Sequence, residues 1–284
     1  MARLTATRLR APELPARAFV RGARLVALAV IIGWSIANVA FHVAAWNLAD
    51  MDAYWNAALR LRDGQPLYPA LADASAADVY RYAPWFAWLA VPFTFLPAVV
   101  AGALWSAILV AASCAAVWPL VQGRAWLLVA FFWPILIGIS AIGNVQPLIV
   151  AALVLGVERR SGPLWIAAAA SLKAVPILFV LVYLGRRQWW RALAALVLTG
   201  VLVAPMLLYD LANYPATSAD AGLLITWLPV YAVAVLVGTV LTLRLAATRW
   251  GWLANATTVV LALPRFFIYD LTFLLAATPR KREP

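Results

Sequence analysis

Four short stretches set ionisable or amide side chains among apolar ones. The first is LADMDAYWNAALRLRDGQPLY, residues 48–68, which carries Asp50, Asp52 and Asp63. Asp50 and Tyr54 are four apart, so on a helix they share one face. A carboxylate in that position suits a general base, taking the proton of an attacking hydroxyl. The same letters also suit helix capping: an aspartate at the N-cap, AYWNAALRLRD as the helix, and Gly64 with Pro66 as the stop. With two acids present, both uses stand side by side, and Asp63 before Gly64 reads as turn chemistry.

The second stretch is GNVQP, where Asn144 and Gln146 suit hydrogen bonds to hydroxyl groups or simply make a polar turn. The third is SLKAVP. Lys173 lies near the middle of the apolar segment 163–185, which disfavours snorkelling to a headgroup layer and leaves open the neutralising of a phosphate. The fourth is LPRFFIYDLTF. Arg265 and Asp270 there form either an internal ion pair or a guanidinium grip on a phosphate. An ionisable group at membrane depth costs roughly 2.5–3.5 kcal/mol, so each of these needs a reason to be there.

Other chemistries lack their parts. The lone histidine, His42, excludes a multi-histidine metal site, and the lone Cys114, inside an apolar run, reads as packing. No serine or cysteine sits with a usable histidine, and no glycine-rich nucleotide loop is present. No metal and no cofactor are expected.

The elements that must position these residues are helices. The chain has 284 residues, 66% hydrophobic and 12% charged, about half the charged fraction of an ordinary soluble domain. Apolar runs near 20 residues recur, and the alternation of a membrane β-barrel is absent, so the expected fold is all-α: a polytopic integral membrane protein of about eight to ten helical segments. The net charge of +11 comes from arginine clusters between apolar runs rather than from a basic face. That pattern sets orientation and gives no sign of nucleic acid.

Arginines then mark the cytoplasmic side and acids the other. Residues 1–24, with six arginines, are expected as a disordered cytoplasmic tail, and the first crossing runs from Leu25 to Trp46. Segment 47–82 holds five of the eleven acids and becomes the first extracytoplasmic loop. RYAPWFAWLAVPFTFLP, 81–97, is cut by three prolines and suits the outer interface. Segments 163–185 and 250–278 have basic clusters at both ends, so one crossing cannot serve either of them. A helix broken at SLKAVP and at Pro264–Arg265, or a re-entrant hairpin, resolves the conflict. Residues 25–278 are expected as one domain in the cell membrane, with a basic tail at 279–284.

In this order the polar stretches resemble glycosyltransferase family 87, the polyprenyl-phosphate-mannose-dependent mannosyltransferases of GT-C architecture. ADMDAYWNAALRLRDGQPLY looks like the family's first outer loop, and YAPWFAWLAVPFTFLP like its Tyr-Pro-aromatic segment. GNVQPLIVAALVLG resembles its Gly-Gln-Asn stretch, SLKAVPILFVLVYLGRRQWWRAL its Leu-Lys-x-x-Pro segment, and LPRFFIYDLTFLLA its late Tyr-Asp segment. The resemblance implies a polyprenyl-phosphate sugar donor, a lipid or glycan acceptor at the outer face, and inverting displacement, with Asp50 as base and Asp52 second. Tyr54, Asn144, Gln146, Lys173, Arg265 and Asp270 become substrate-binding residues. The chain is shorter than most members, and Arg265 stands where they often carry histidine; arginine stays protonated and cannot act as a base. A transporter or flippase of a lipid-linked substrate, or a non-catalytic membrane subunit derived from the family, are the alternatives.

Overall fold

The computed structural model describes residues 14–69, 79–214 and 227–278, and every regular element among them is helical. The loop tip carrying Asp73 and Asp78, the Asp220 loop, and both chain ends with Lys281 lie outside the described residues.

Helix α1 (Leu14–Ala44) starts well before Leu25, so residues 14–24 are helix and not a disordered tail. Pro15 suits a first helical turn, and the Ala, Arg and Leu residues after it are good helix formers despite their charge. After a turn with Trp46 at φ 49°, α2 (Ala49–Arg62) begins. It ends where Gly64 takes φ 68°, the left-handed stop expected of that glycine. Arg62 Nη1 donates to the Thr94 carbonyl at 3.2 Å, which ties the far end of α2 to the next segment. That segment is α3 (Pro84–Ala90), running on as a 3-10 turn, Val91–Phe95. Prolines 84, 92 and 97 each stand at the start of an element, where their missing N–H costs nothing.

Helices α4 (Ala98–Gln122) and α5 (Trp126–Ala141) form a hairpin, joined by a 3.0 Å bond between the Ser113 and Ser140 hydroxyls. Trp133 Nε1 donates to Ser35 Oγ at 3.0 Å and fastens α5 to α1. Then come α6 (Gln146–Gly156) and α7 (Gly162–Leu172). At Lys173 the backbone is extended, φ −147° and ψ 113°. The chain resumes as a 3-10 turn, Val175–Phe179, and α8 (Val180–Gly185). Helix α9 (Trp189–Val203) continues as a 3-10 turn to Leu208, followed by α10 (Leu228–Leu245) and α11 (Gly251–Leu261). The last element is a 3-10 helix, Ile268–Ala277.

Among the described residues there are thus eleven α-helices and four 3-10 segments, more than the eight to ten segments expected. The surplus arises at the breaks. Segment 163–185 splits at Lys173, and 250–278 splits at 262–267. Both breaks fall where the basic clusters at both ends led the sequence reading to place them.

Four stretches are long and apolar enough to cross a membrane: Leu25–Ala44, Ala98–Gln122, Trp189–Leu208 and Leu228–Leu245. Their outer faces expose large apolar side chains such as Ile36, Val201, Leu228 and Leu236, a surface that suits lipid rather than water. Cys114 is exposed on α4, not packed inside as its apolar run suggested. Because α4 is apolar all round, hydropathy alone does not say which side faces inward.

Three turns on one side of the bundle are clamped together. Both oxygens of Glu158 accept from Arg186 Nη1, at 2.9 and 3.0 Å, and Trp252 Nε1 donates to the same carboxylate. Arg186 Nε donates to the Ala246 carbonyl at 2.7 Å, and its guanidinium lies 5.2 Å from the Trp252 ring. Arg191 Nη2 reaches the Val157 carbonyl at 3.1 Å and the Tyr183 hydroxyl at 3.1 Å. Arginines that the sequence assigns to orientation therefore also hold α6, α8, α9 and α11 in register. Glu158→Gln keeps the shape but removes the counter-charge. It is expected to lower stability by about 1–3 kcal/mol, read as thermal unfolding of the purified protein.

Candidate functional site

Asp50 and Asp52 lie in the first turn of α2, whose N-cap is Leu48 with no side-chain capping bond. The capping expectation is therefore corrected: neither acid is the cap, and both sit inside the helix. Asp50 and Tyr54 share a face as their spacing required, Tyr54 buried and Asp50 half-buried.

What holds Asp50 is the turn at 142–146. The Asp50 backbone N–H donates to the Ile142 carbonyl at 3.1 Å. Trp105 Nε1 of α4 donates to the Gly143 carbonyl at 2.8 Å, and the Val145 N–H donates to the Tyr54 hydroxyl at 3.2 Å. Gly143 has φ 83°, and a Cβ there would come within 2.7 Å of the Met51 Cβ. Only glycine lets the turn approach α2 so closely. Gly143→Ala is expected to displace the first turn of α2 and to cost at least about 1–2 kcal/mol from the positive φ alone, visible as a lower thermal midpoint.

From this turn a chain of polar contacts runs across the bundle. Asn144 accepts the Gln146 N–H at 2.8 Å, while its side chain also faces the Asp50 carboxylate. Gln146, buried at the start of α6, donates from Nε2 to Thr272 Oγ1 at 3.3 Å and accepts from Lys173 Nζ at 3.5 Å. Lys173, at the break after α7, makes an ion pair with Asp270, which is fully buried. The second oxygen of Asp270 accepts the Phe267 N–H at 2.9 Å, so this acid also caps the last 3-10 helix. The ion pair the sequence suggested joined Asp270 to Arg265; the cation that pairs with Asp270 is instead Lys173. Arg265 lies 4.3 Å over the Phe267 ring, which stacks on Tyr269 at 5.0 Å; the Lys173 ammonium lies 5.2 Å from that second ring.

Two helix breaks, one turn and one helix start thus meet. Asp50, Tyr54, Asn144, Gln146, Lys173 and Asp270 belong to one continuous network, and Arg265 is at its edge. Asp52 is two residues along α2 from Asp50, in the same first turn. Burial pushes the Asp50 carboxyl above its ordinary value of 3.8, while Asn144, Arg81 and Lys173 pull it back down. Burial holds the nearby Tyr82 hydroxyl up at about 12.

Arg81, Tyr82, Tyr269 and Thr272 are the members that sequence reasoning missed. The signal for the first two was present in VYRYAP: a charged residue between tyrosines, just before a proline. Thr272 gives no such signal, since a lone threonine in an apolar run is ordinary.

Fold and site together define a polytopic helical protein of membrane type, with a polar network where its broken helices meet. No protein-family model, curated protein or solved structure matches the chain.

Proposed function

We propose that this chain is an integral-membrane glycosyltransferase of GT-C type. It moves a hexose, with mannose the first choice, from a polyprenyl-phosphate donor to a hydroxyl at the extracytoplasmic face. The observation that carries this reading is the meeting of Asp50 with Asn144, Gln146, Lys173 and Asp270, drawn from distant parts of the chain to one place.

The step is a single displacement. The acceptor oxygen bonds to the anomeric carbon as the bond from that carbon to the phosphate oxygen breaks. The polyprenyl phosphate leaves with the electron pair, and the acceptor proton passes to Asp50. A half-buried carboxylate whose proton affinity is raised by burial is a better base than one in water. The cations Arg81, Lys173 and Arg265 supply positive charge toward a phosphate, Lys173 being shared with Asp270. With Asp270 taken up by Lys173, Asp50 acts as the single base, which suits inversion, since double displacement needs a second acid about 5–5.5 Å away.

A second reading has one observation in its favour. A Lys–Asp pair with its acid fully buried between two broken helices is also what a transporter of lipid-linked substrate uses. One experiment separates the two. Membranes containing the full chain are given a radiolabelled polyprenyl-phosphate sugar and a mixed glycan and lipid acceptor fraction. Label transferred to acceptor by the wild type, and lost in Asp50→Asn, supports the enzyme. Label that crosses the bilayer without changing its chemical form supports the transporter and overturns the first reading.

A further inference from the structure

Three successive backbone carbonyls beside the network each accept a tyrosine hydroxyl. Tyr214 donates to the Arg81 carbonyl at 2.9 Å, Tyr68 to the Tyr82 carbonyl at 2.8 Å, and Tyr80 to the Ala83 carbonyl at 2.7 Å. The three donors come from different places: the start of the loop after α2, the segment itself, and the loop after α9. Their rings pack together, with Tyr68 stacked on Tyr80 at 6.0 Å and edge-on to Tyr214 at 5.2 Å. Ala83 is extended, φ −61° and ψ 148°, because a proline follows it. An extended segment has no ladder to fill its carbonyls, and here phenol groups do so.

The segment so held presents its side chains to Asp50. The Tyr82 hydroxyl lies 3.2 Å from that of Tyr54, one turn from Asp50 on α2, and the Tyr82 and Tyr54 rings are 5.1 Å apart. Arg81 lies within electrostatic reach of the Asp50 carboxylate. We infer that Tyr68, Tyr80 and Tyr214 are positioning residues, whose hydroxyls fix the Arg81–Ala83 backbone and thereby hold the Arg81 charge and the Tyr82 hydroxyl beside Asp50. The clasp sets how readily Asp50 takes a proton and links that property to the loop that carries Tyr214. Its meaning for catalysis rests on the proposed role of Asp50 as base; its existence does not.

The groups that face Asp50 are Arg81, Lys173 and Asn144, with Tyr54, Tyr82 and Tyr269 around them and Asp52 on its own helix. The α3 helix and the 3-10 turn packed on α2 carry no ionisable side chain. Arg81 is therefore the charge on this side of Asp50 that the clasp controls.

The test needs no sugar transfer. The full chain in lipid nanodiscs is titrated by infrared difference spectroscopy, and the protonated Asp50 carboxyl band is assigned by its loss in Asp50→Asn. Arg81→Gln is expected to move the Asp50 midpoint upward, because a stabilising positive charge is gone. Tyr214→Phe and Tyr68→Phe are expected to move it in the same direction by less, and to add nothing in the Arg81→Gln background. Tyr231→Phe, which removes a hydroxyl bonded to Ala262 elsewhere in the bundle, is expected to leave it unmoved. An unchanged midpoint in both clasp variants overturns the inference, and so does the same shift persisting without Arg81. Failure of the transferase assay leaves this titration untouched, so the two ideas fall separately.

Discussion

Replacing Asp50 by asparagine is expected to abolish sugar transfer while making the protein more stable. The loss follows from the proposed role of Asp50 as base. Asparagine keeps the size and the hydrogen-bonding reach but takes no proton, and removal of a general base costs roughly 10²–10⁴-fold in rate. The gain follows from the sign of the shift. Burial raises the folded carboxyl above its ordinary value of 3.8, outweighing the pull of Asn144, Arg81 and Lys173. A group of that kind favours folding most at pH below its unfolded value, and the benefit is lost as pH rises through the folded value. Above its folded value the charged Asp50 is a burden that asparagine lifts, worth about 2–4 °C in thermal midpoint for each kcal/mol relieved. The wild type should therefore lose stability from pH 3.8 upward relative to Asp50→Asn, and the two curves should converge in acid. Thermal unfolding of both proteins across that range, beside transfer assays at neutral pH, checks both halves. An asparagine variant that is inactive and also less stable at neutral pH would mean that Asp50 is structural.

The other large effect is expected at Lys173. Lys173→Met leaves Asp270 buried without its cation, and breaking such a pair from one side costs about 3–5 kcal/mol. A marginally stable membrane protein is then expected to give little folded material in detergent. Adding Asp270→Asn removes the stranded charge and keeps the hydrogen bond that caps the last 3-10 helix, so the double variant should recover most of the yield. Size-exclusion profiles and thermal midpoints of the single and double variants measure the coupling. A Lys173→Met protein as stable as the wild type would show that the pair contributes nothing to the fold.

The helix breaks were readable because they are local. Lys173 and Pro176 interrupt one apolar run, Pro264 and Arg265 another, and arginines at both ends forbid a simple crossing. The shared face of Asp50 and Tyr54 was readable for the same reason, since four residues on a helix fix it. Partners far apart in the chain were not readable. Lys173 and Asp270 are 97 residues apart, and nothing in either stretch selects the other. The tyrosine clasp was hidden by its generality: a phenol donates to any carbonyl, so its partner is known only when the loops are packed. The start of α1 was missed because six arginines in its neighbourhood suggested a solvated tail, although charge alone does not stop a helix.

The brevity of α6 and α7 has a mechanical consequence. Each has 11 residues, and at 1.5 Å per residue neither reaches more than about 16 Å from the arginine-rich turn that joins them. The hydrocarbon layer is about 30 Å thick, so with that turn at a membrane surface Gln146 and Lys173, at the far ends of these helices, would stand about halfway through it. The bundle is thinner there than a bilayer, so a membrane around it would have to thin or curve to meet the polar network. A phosphate carried on a lipid, as the proposed reaction requires, would then reach the network without leaving its leaflet.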